Sequence, residues 1–242
     1  MVVVFRTINN QKILTDKIVE LPEKSSIIQS ITPPPFTPTA SPTGELQKVQ
    51  ESLYPIHKKI YATLFWVGED GSDDNDYIAN QSSAWDSNWL ESYGGVDTPY
   101  ARNGYHPKSF TPKENPFYFA LPYNDFNQFG KRDNSFLIPW YDATLPDTYS
   151  QIKNRWVKLN YKNTTCYAQW EDVGPFEEND FDYVFNSAKP KEKRAGIDLS
   201  PAVKTCLHMA TNGFIDWQFV DTYQVPAGPW KEIVTTSQTN WQ

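Results

Sequence analysis

Two aspartates occupy positions where a carboxyl side chain can do acid–base work. Asp172 closes the run Trp170-Glu171-Asp172 and is followed at once by Val173-Gly174-Pro175-Phe176, where glycine and proline force a sharp change of direction. Asp198 lies in Gly196-Ile197-Asp198-Leu199, directly before Ser200-Pro201, which reads as a helix N-cap with proline at the first helical position. Both carboxyls therefore stand at strand ends beside tight turns, where a β-barrel exposes side chains to a groove. The structural alternative for each is a carboxylate that braces its own turn or accepts turn and helix amides.

Other chemistries fit the sequence poorly. The run Asp70-Gly71-Ser72-Asp73-Asp74-Asn75-Asp76 alternates oxygen ligands as a calcium loop does. Asn75 and Gln81, however, stand where such a loop needs glycine and glutamate, so a solvated acidic loop is expected and no metal. His57, His106 and His208 have no paired spacing for zinc. No Gly-rich phosphate loop and no Ser-His-Asp signature appears, and no cofactor is expected. Asn80-Gln81-Ser82 and Asn163-Thr164-Thr165 are formal glycosylation sequons. Trp85, Trp89 and Trp140 can either stack on sugars or pin long loops to a core, and pinning is the commoner use.

The elements that must position the aspartates are legible from texture. The chain has 242 residues, 39% of them hydrophobic, enough for one large domain or two small ones with a real core. Lys and Arg number 22 against 29 Asp and Glu, a formal net charge of -7, which argues against nucleic acid or an anionic membrane as the main partner. No apolar run is long enough to span a bilayer. Aromatics make up 15%, a load suited to β-structure and to flat platforms for sugar rings. Before residue 60 the only aromatics are Phe5, Phe36 and Tyr54, and Pro33-Pro34-Pro35, Pro38 and Pro42 form a stiff extended spacer. Residues 1–58 thus read as an arm, with Val2 to Ile8 as a strand and Leu46, Val49 and Leu53 at helical spacing until Pro55. Residues 59–242 read as the globular domain. Lys59 to Trp66, Phe117 to Leu121, Trp156 to Leu159, Thr165 to Trp170 and Ile215 to Val220 are short strands. Gly68 to Glu114 reads as an elaborate surface loop. One helix follows Ser200, with Val203, Leu207 and Met209 on its buried side. Cys166 and Cys206 read equally well as core thiols or as a disulfide. The opening Met1-Val2-Val3-Val4-Phe5 is too short for a signal-peptide core.

Asp172-Val173-Gly174-Pro175-Phe176 and Ile197-Asp198-Leu199-Ser200 resemble the Asp-Arg-Gly-Pro-Phe and Ile-Asp-Leu-Ser runs of rare lipoprotein A. Tyr61 to Trp66 looks like the opening strand of that family, and Phe117-Tyr118-Phe119-Ala120-Leu121-Pro122 is similar to the stretch that starts its first psi loop. The four elements occur in order across residues 59 to 235. The chain thus resembles the double-psi β-barrel group of rare lipoprotein A, expansins, barwin and the family 45 endoglucanases. The fold this implies is mainly β: a six-stranded double-psi barrel with long loop insertions, one short helix and the extended Pro-rich arm. Three family residues are replaced: Val173 stands for the arginine, Gly196 for a histidine, and the first-strand aspartate has no match.

The resemblance implies a cell-wall or polysaccharide ligand, peptidoglycan included. Asp198 takes the place of the general acid, with Asp172 and Asp125 as candidates for the second carboxylate that activates water in inverting hydrolysis. A lytic transglycosylase needs only the acid, and an expansin-like module grips glycan without cleaving it. Tyr61, Phe65, Trp66, Tyr118, Tyr123 and Trp170 are the candidate sugar-binding aromatics. In such a barrel Cys166 and Cys206 are neighbours, bonded if the protein matures outside the cytoplasm. The competing expectation is a structural subunit of a virion or extracellular filament, with residues 1–58 joining copies. Either expectation places the protein outside the cell or in a virion, without a signal peptide of the usual kind.

Overall fold

A computed structural model describes residues 53–238. The expected Val2–Ile8 strand, the proline spacer and the inter-subunit role of the arm fall, up to residue 52, outside the described residues. The strands are β1 His57–Leu64, β2 Arg102–Asn103, β3 His106–Pro107, β4 Tyr118–Leu121, β5 Phe126–Asn127, β6 Gly130–Lys131, β7 Trp156–Tyr161, β8 Thr164–Val173, β9 Ile197–Leu199 and β10 Gly213–Val220. Six of them close a mixed barrel in the order β1-β10-β7-β8-β4-β9, and β9 returns to β1. Four neighbouring pairs are antiparallel; β4/β8 and β1/β9 are parallel. The strands β2/β3 and β5/β6 are two-residue ribbons in the loops.

Period-two alternation builds the barrel interior. Ile197 and Leu199 point in on β9, Val157 and Leu159 on β7, Cys166, Ala168 and Trp170 on β8, and Ile215, Trp217 and Phe219 on β10. The centre is aromatic: Trp170 stacks between Phe119 at 5.9 Å and Phe219 at 5.8 Å. Among the described residues there are three α-helices, where the sequence suggests one: α1 Trp89–Tyr93, α2 Phe181–Phe185 and α3 Pro201–Cys206. The two extra helices are single turns, too short for helical periodicity to stand out. The expected one, α3, begins as its sequence dictates. Ser200 accepts from the Val203 amide at 3.3 Å and donates to the Pro116 carbonyl at 2.7 Å, tying the helix to the entry of β4. A disulfide joins Cys166 on β8 to Cys206 on α3, with Cα atoms 6.2 Å apart.

The stretch read as a surface loop after β1 instead makes a second core. Phe65, Val67, Trp89 and Tyr93 fold back onto Tyr118 and Ala120, on the outer face of β4. Asp97 anchors it from a fully buried position. It accepts from Tyr118 Oη at 2.9 Å and from Arg102 Nη1 at 2.6 Å, while Tyr118 Oη accepts from the Val67 amide at 3.0 Å. Trp85 and Trp89 are buried, and Trp140 packs against the core, so all three pin loops. Among the described residues no helix is long and apolar enough to cross a membrane.

Candidate functional site

Four barrel strands place a row of side chains under this second core. In the register, Thr63 on β1 lies beside Asp198 on β9, Asp198 beside Ala120 on β4, and Ala120 beside Asp172 on β8. All four line one cavity of about 810 Å³. Ala120 places only a methyl between the two carboxyls. With neighbouring strands about 4.8 Å apart, the backbones bearing Asp198 and Asp172 are separated by roughly 9.6 Å.

A β-bulge aims Asp172. The β4/β8 pairing slips between Phe119/Trp170 and Ala120/Asp172, leaving Glu171 as the extra residue. In a regular strand Trp170 and Asp172 share a face. The bulge reverses the parity, so Trp170 points into the barrel and Asp172 out to the cavity. Glu171 turns away to an ion pair with Lys153 at 2.7 Å, both side chains buried.

The carboxyl environments differ in detail. Asp172 is only 8% exposed. Its Oδ1 accepts from the Ala84 and Val173 amides, each at 2.8 Å, and Oδ2 takes no hydrogen bond among the described residues. Burial pushes its pKa up to about 7 against those two bonds, with the Asp198 charge adding to the rise. Asp198 is partly open to the cavity, its Oδ1 held by the Thr63 hydroxyl. Burial raises it to about 6, opposed by that bond.

A third carboxyl, Glu69, belongs to the site and is missing from the sequence reading. It follows the turn at Gly68, lines the cavity, and accepts from Asn80 Nδ2 at 3.0 Å. Burial raises it to about 7, with the Asp198 charge contributing. The sequence signal was an acid one residue past the Trp66-Val67-Gly68 strand exit. Gly68 has φ +77°, and a Cβ there would come within 2.9 Å of Leu90 and Val96, so glycine is required to turn the chain toward Glu69.

The expected aromatics divide. Phe65 and Trp66 line the cavity. Tyr118 lies buried beneath it, holding Asp97. Trp170 is barrel core, Tyr123 is buried with its hydroxyl donating to Asn134 at 2.9 Å, and Tyr61 packs on Phe214 at 5.2 Å. These last three are not brought to the cavity, and neither is Asp125. That carboxylate is fully buried, accepting from Ser150 Oγ at 2.8 Å and the Gln151 amide at 2.6 Å, and so fastens a loop. In their place the rim gains Tyr100, 87% exposed and edge-on to Trp66 at 6.2 Å, and Phe176, 36% exposed. Phe176 sits at φ +61°, an unusual backbone for a bulky residue, and carries the Arg194 guanidinium over its ring at 3.7 Å.

The acidic run 70–76 shapes the rim by internal bonds. Asn75 Oδ1 accepts from the Ser72 amide at 2.7 Å and its Nδ2 donates to the Asp70 carbonyl at 3.0 Å. No family model matches the chain, and no curated protein matches it.

Proposed function

We propose that the chain is a double-psi barrel of the rare lipoprotein A, expansin and endoglucanase kind, and that its groove binds a polysaccharide and cleaves a glycosidic bond. The observation that carries the reading is the gathering of Asp198, Asp172 and Glu69, all with raised pKa, around one cavity rimmed by Trp66, Tyr100 and Phe176. The mixed order of six strands, with parallel pairs β4/β8 and β1/β9, supports the family reading.

The groups suit acid–base cleavage with inversion. Asp172 keeps its proton to higher pH than Asp198, and its free Oδ2 is the oxygen to deliver it. As the bond between the anomeric carbon and the glycosidic oxygen breaks, Asp172 protonates that oxygen. A water molecule adds to the anomeric carbon from the opposite face and gives its proton to the Asp198 carboxylate. Inverting hydrolysis needs carboxyls about 6.5–9.5 Å apart to admit that water, and here the two aspartates stand on strands separated by a third. This order of roles reverses the one the resemblance suggests for Asp198. The rim aromatics hold sugar rings by stacking.

The test is release of reducing ends from peptidoglycan and from β-glucans by the purified protein. Wild type is expected to release fragments. Asp172→Asn and Asp198→Asn, both folded by circular dichroism, are expected to lose about 10²–10⁴ of the rate. Equal release by all three proteins, or none from any glycan, contradicts the reading.

A further inference from the structure

Among the described residues, the acidic and basic side chains that line the cavity are all carboxyls. Glu69, Asp70, Asp172 and Asp198 contribute carboxyls, and among the described residues no Lys, Arg or His lines it. Two cations that touch lining side chains are already engaged. Arg194 bridges Asp76 at 2.8 Å and Glu192 at 3.3 Å while lying on Phe176, and Lys204 donates to Asn212 at 2.9 Å. Asp172, more than nine-tenths buried, presents an oxygen without a hydrogen-bond partner among the described residues to this space. A concave wall of one sign focuses its field and sorts ligands by charge.

Resting on the glycan reading above, we propose that the groove selects a cationic polysaccharide, one carrying free amino groups on its sugars, over neutral and acidic ones. The chemistry is direct. An ammonium donates to the free carboxyl oxygens, favours their ionised form by its own charge, and so supplies the counter-charge that the described lining lacks. A uronate or a phosphate-bearing glycan meets carboxyls with no cation to offset them, which is rejection by like charge. The flat faces of the sugars still rest on Trp66, Tyr100 and Phe176, so ring stacking is common to all three classes and charge alone separates them.

The experiment measures binding of three matched hexasaccharides by calorimetry at pH 6 in low salt: glucosamine, N-acetylglucosamine and galacturonate. The glucosamine hexamer is expected to bind at least tenfold tighter than the N-acetylated one, and the galacturonate not detectably. Asp70, exposed at the rim, is the carboxyl to change without touching Asp172 or Asp198. Asp70→Asn is expected to reduce the preference severalfold, and 0.5 M salt to reduce it likewise. Equal or tighter binding of the N-acetylated hexamer overturns the charge selection and leaves the glycan reading standing. Tighter binding of galacturonate does the same. Failure of all three to bind, with the protein folded, overturns both.

Discussion

At the scale of single residues the chemistry turns on which carboxyl holds a proton. Asp198, nearest its ordinary range at about 6, ionises first, and its charge helps keep Asp172 and Glu69 protonated to about 7. If Asp172 is the acid, Asp172→Asn retains activity on an aryl glycoside, whose leaving group needs no proton, while losing it on a polysaccharide. Asp198→Asn loses both, and added azide restores turnover. Rescue in the reverse pattern would return the acid role to Asp198. The raised pKa of Asp172 also has a consequence for stability. Between the unfolded value near 4 and the folded value near 7 the native state binds the extra proton, so the stability this group contributes falls as pH rises through that window. His57 works the other way. Burial against Trp217 lowers it to about 4, so its contribution rises with pH between about 4 and 6.5. The difference between wild type and Asp172→Asn isolates the aspartate. In urea unfolding from pH 4 to 8, the variant is expected to gain on wild type as pH rises, and a flat difference would show that Asp172 titrates normally.

At the scale of elements, the strand pattern was readable and the bulge was not. Alternation in Trp156–Tyr161 and Gly213–Val220 exposes their inward faces, and Ser200-Pro201 marks the start of α3. Glu171, however, looks like any strand residue. Only the pairing with β4 makes it the extra one and sends Asp172 to the cavity while Trp170 enters the core. The same parity explains why Trp170 passes in sequence for a groove aromatic. A period of two tells which residues share a face, not which face meets the core. Glu69 was hidden for a different reason: it lies beyond the strand, and the fold of 65–97 onto β4 that brings it to Asp198 rests on contacts distant in sequence. The bulged residue, Glu171, is held by the buried Lys153 ammonium. Removing the cation by Lys153→Ala leaves Glu171 buried without its partner, an expected loss of about 3–5 kcal/mol in chemical unfolding. The double change Lys153→Met with Glu171→Leu is expected to recover most of it. If Lys153→Ala alone is neutral, the pair does not support the bulge.

At the scale of the whole molecule, the barrel presents one face of four strands to the loop after β1, and the groove lies between them. The disulfide ties β8, which carries Asp172, to the helix that follows Asp198, so both carboxyls sit on elements fastened to each other. The central claim is that this groove holds a sugar chain. Amide chemical-shift mapping during titration with the glucosamine and N-acetylglucosamine hexamers tests it most directly. Changes are expected to gather at residues 63–70, 96–100, 120, 172–176 and 198, with small effects elsewhere. Saturable shifts centred on another face of the barrel, or none with either sugar, would contradict it.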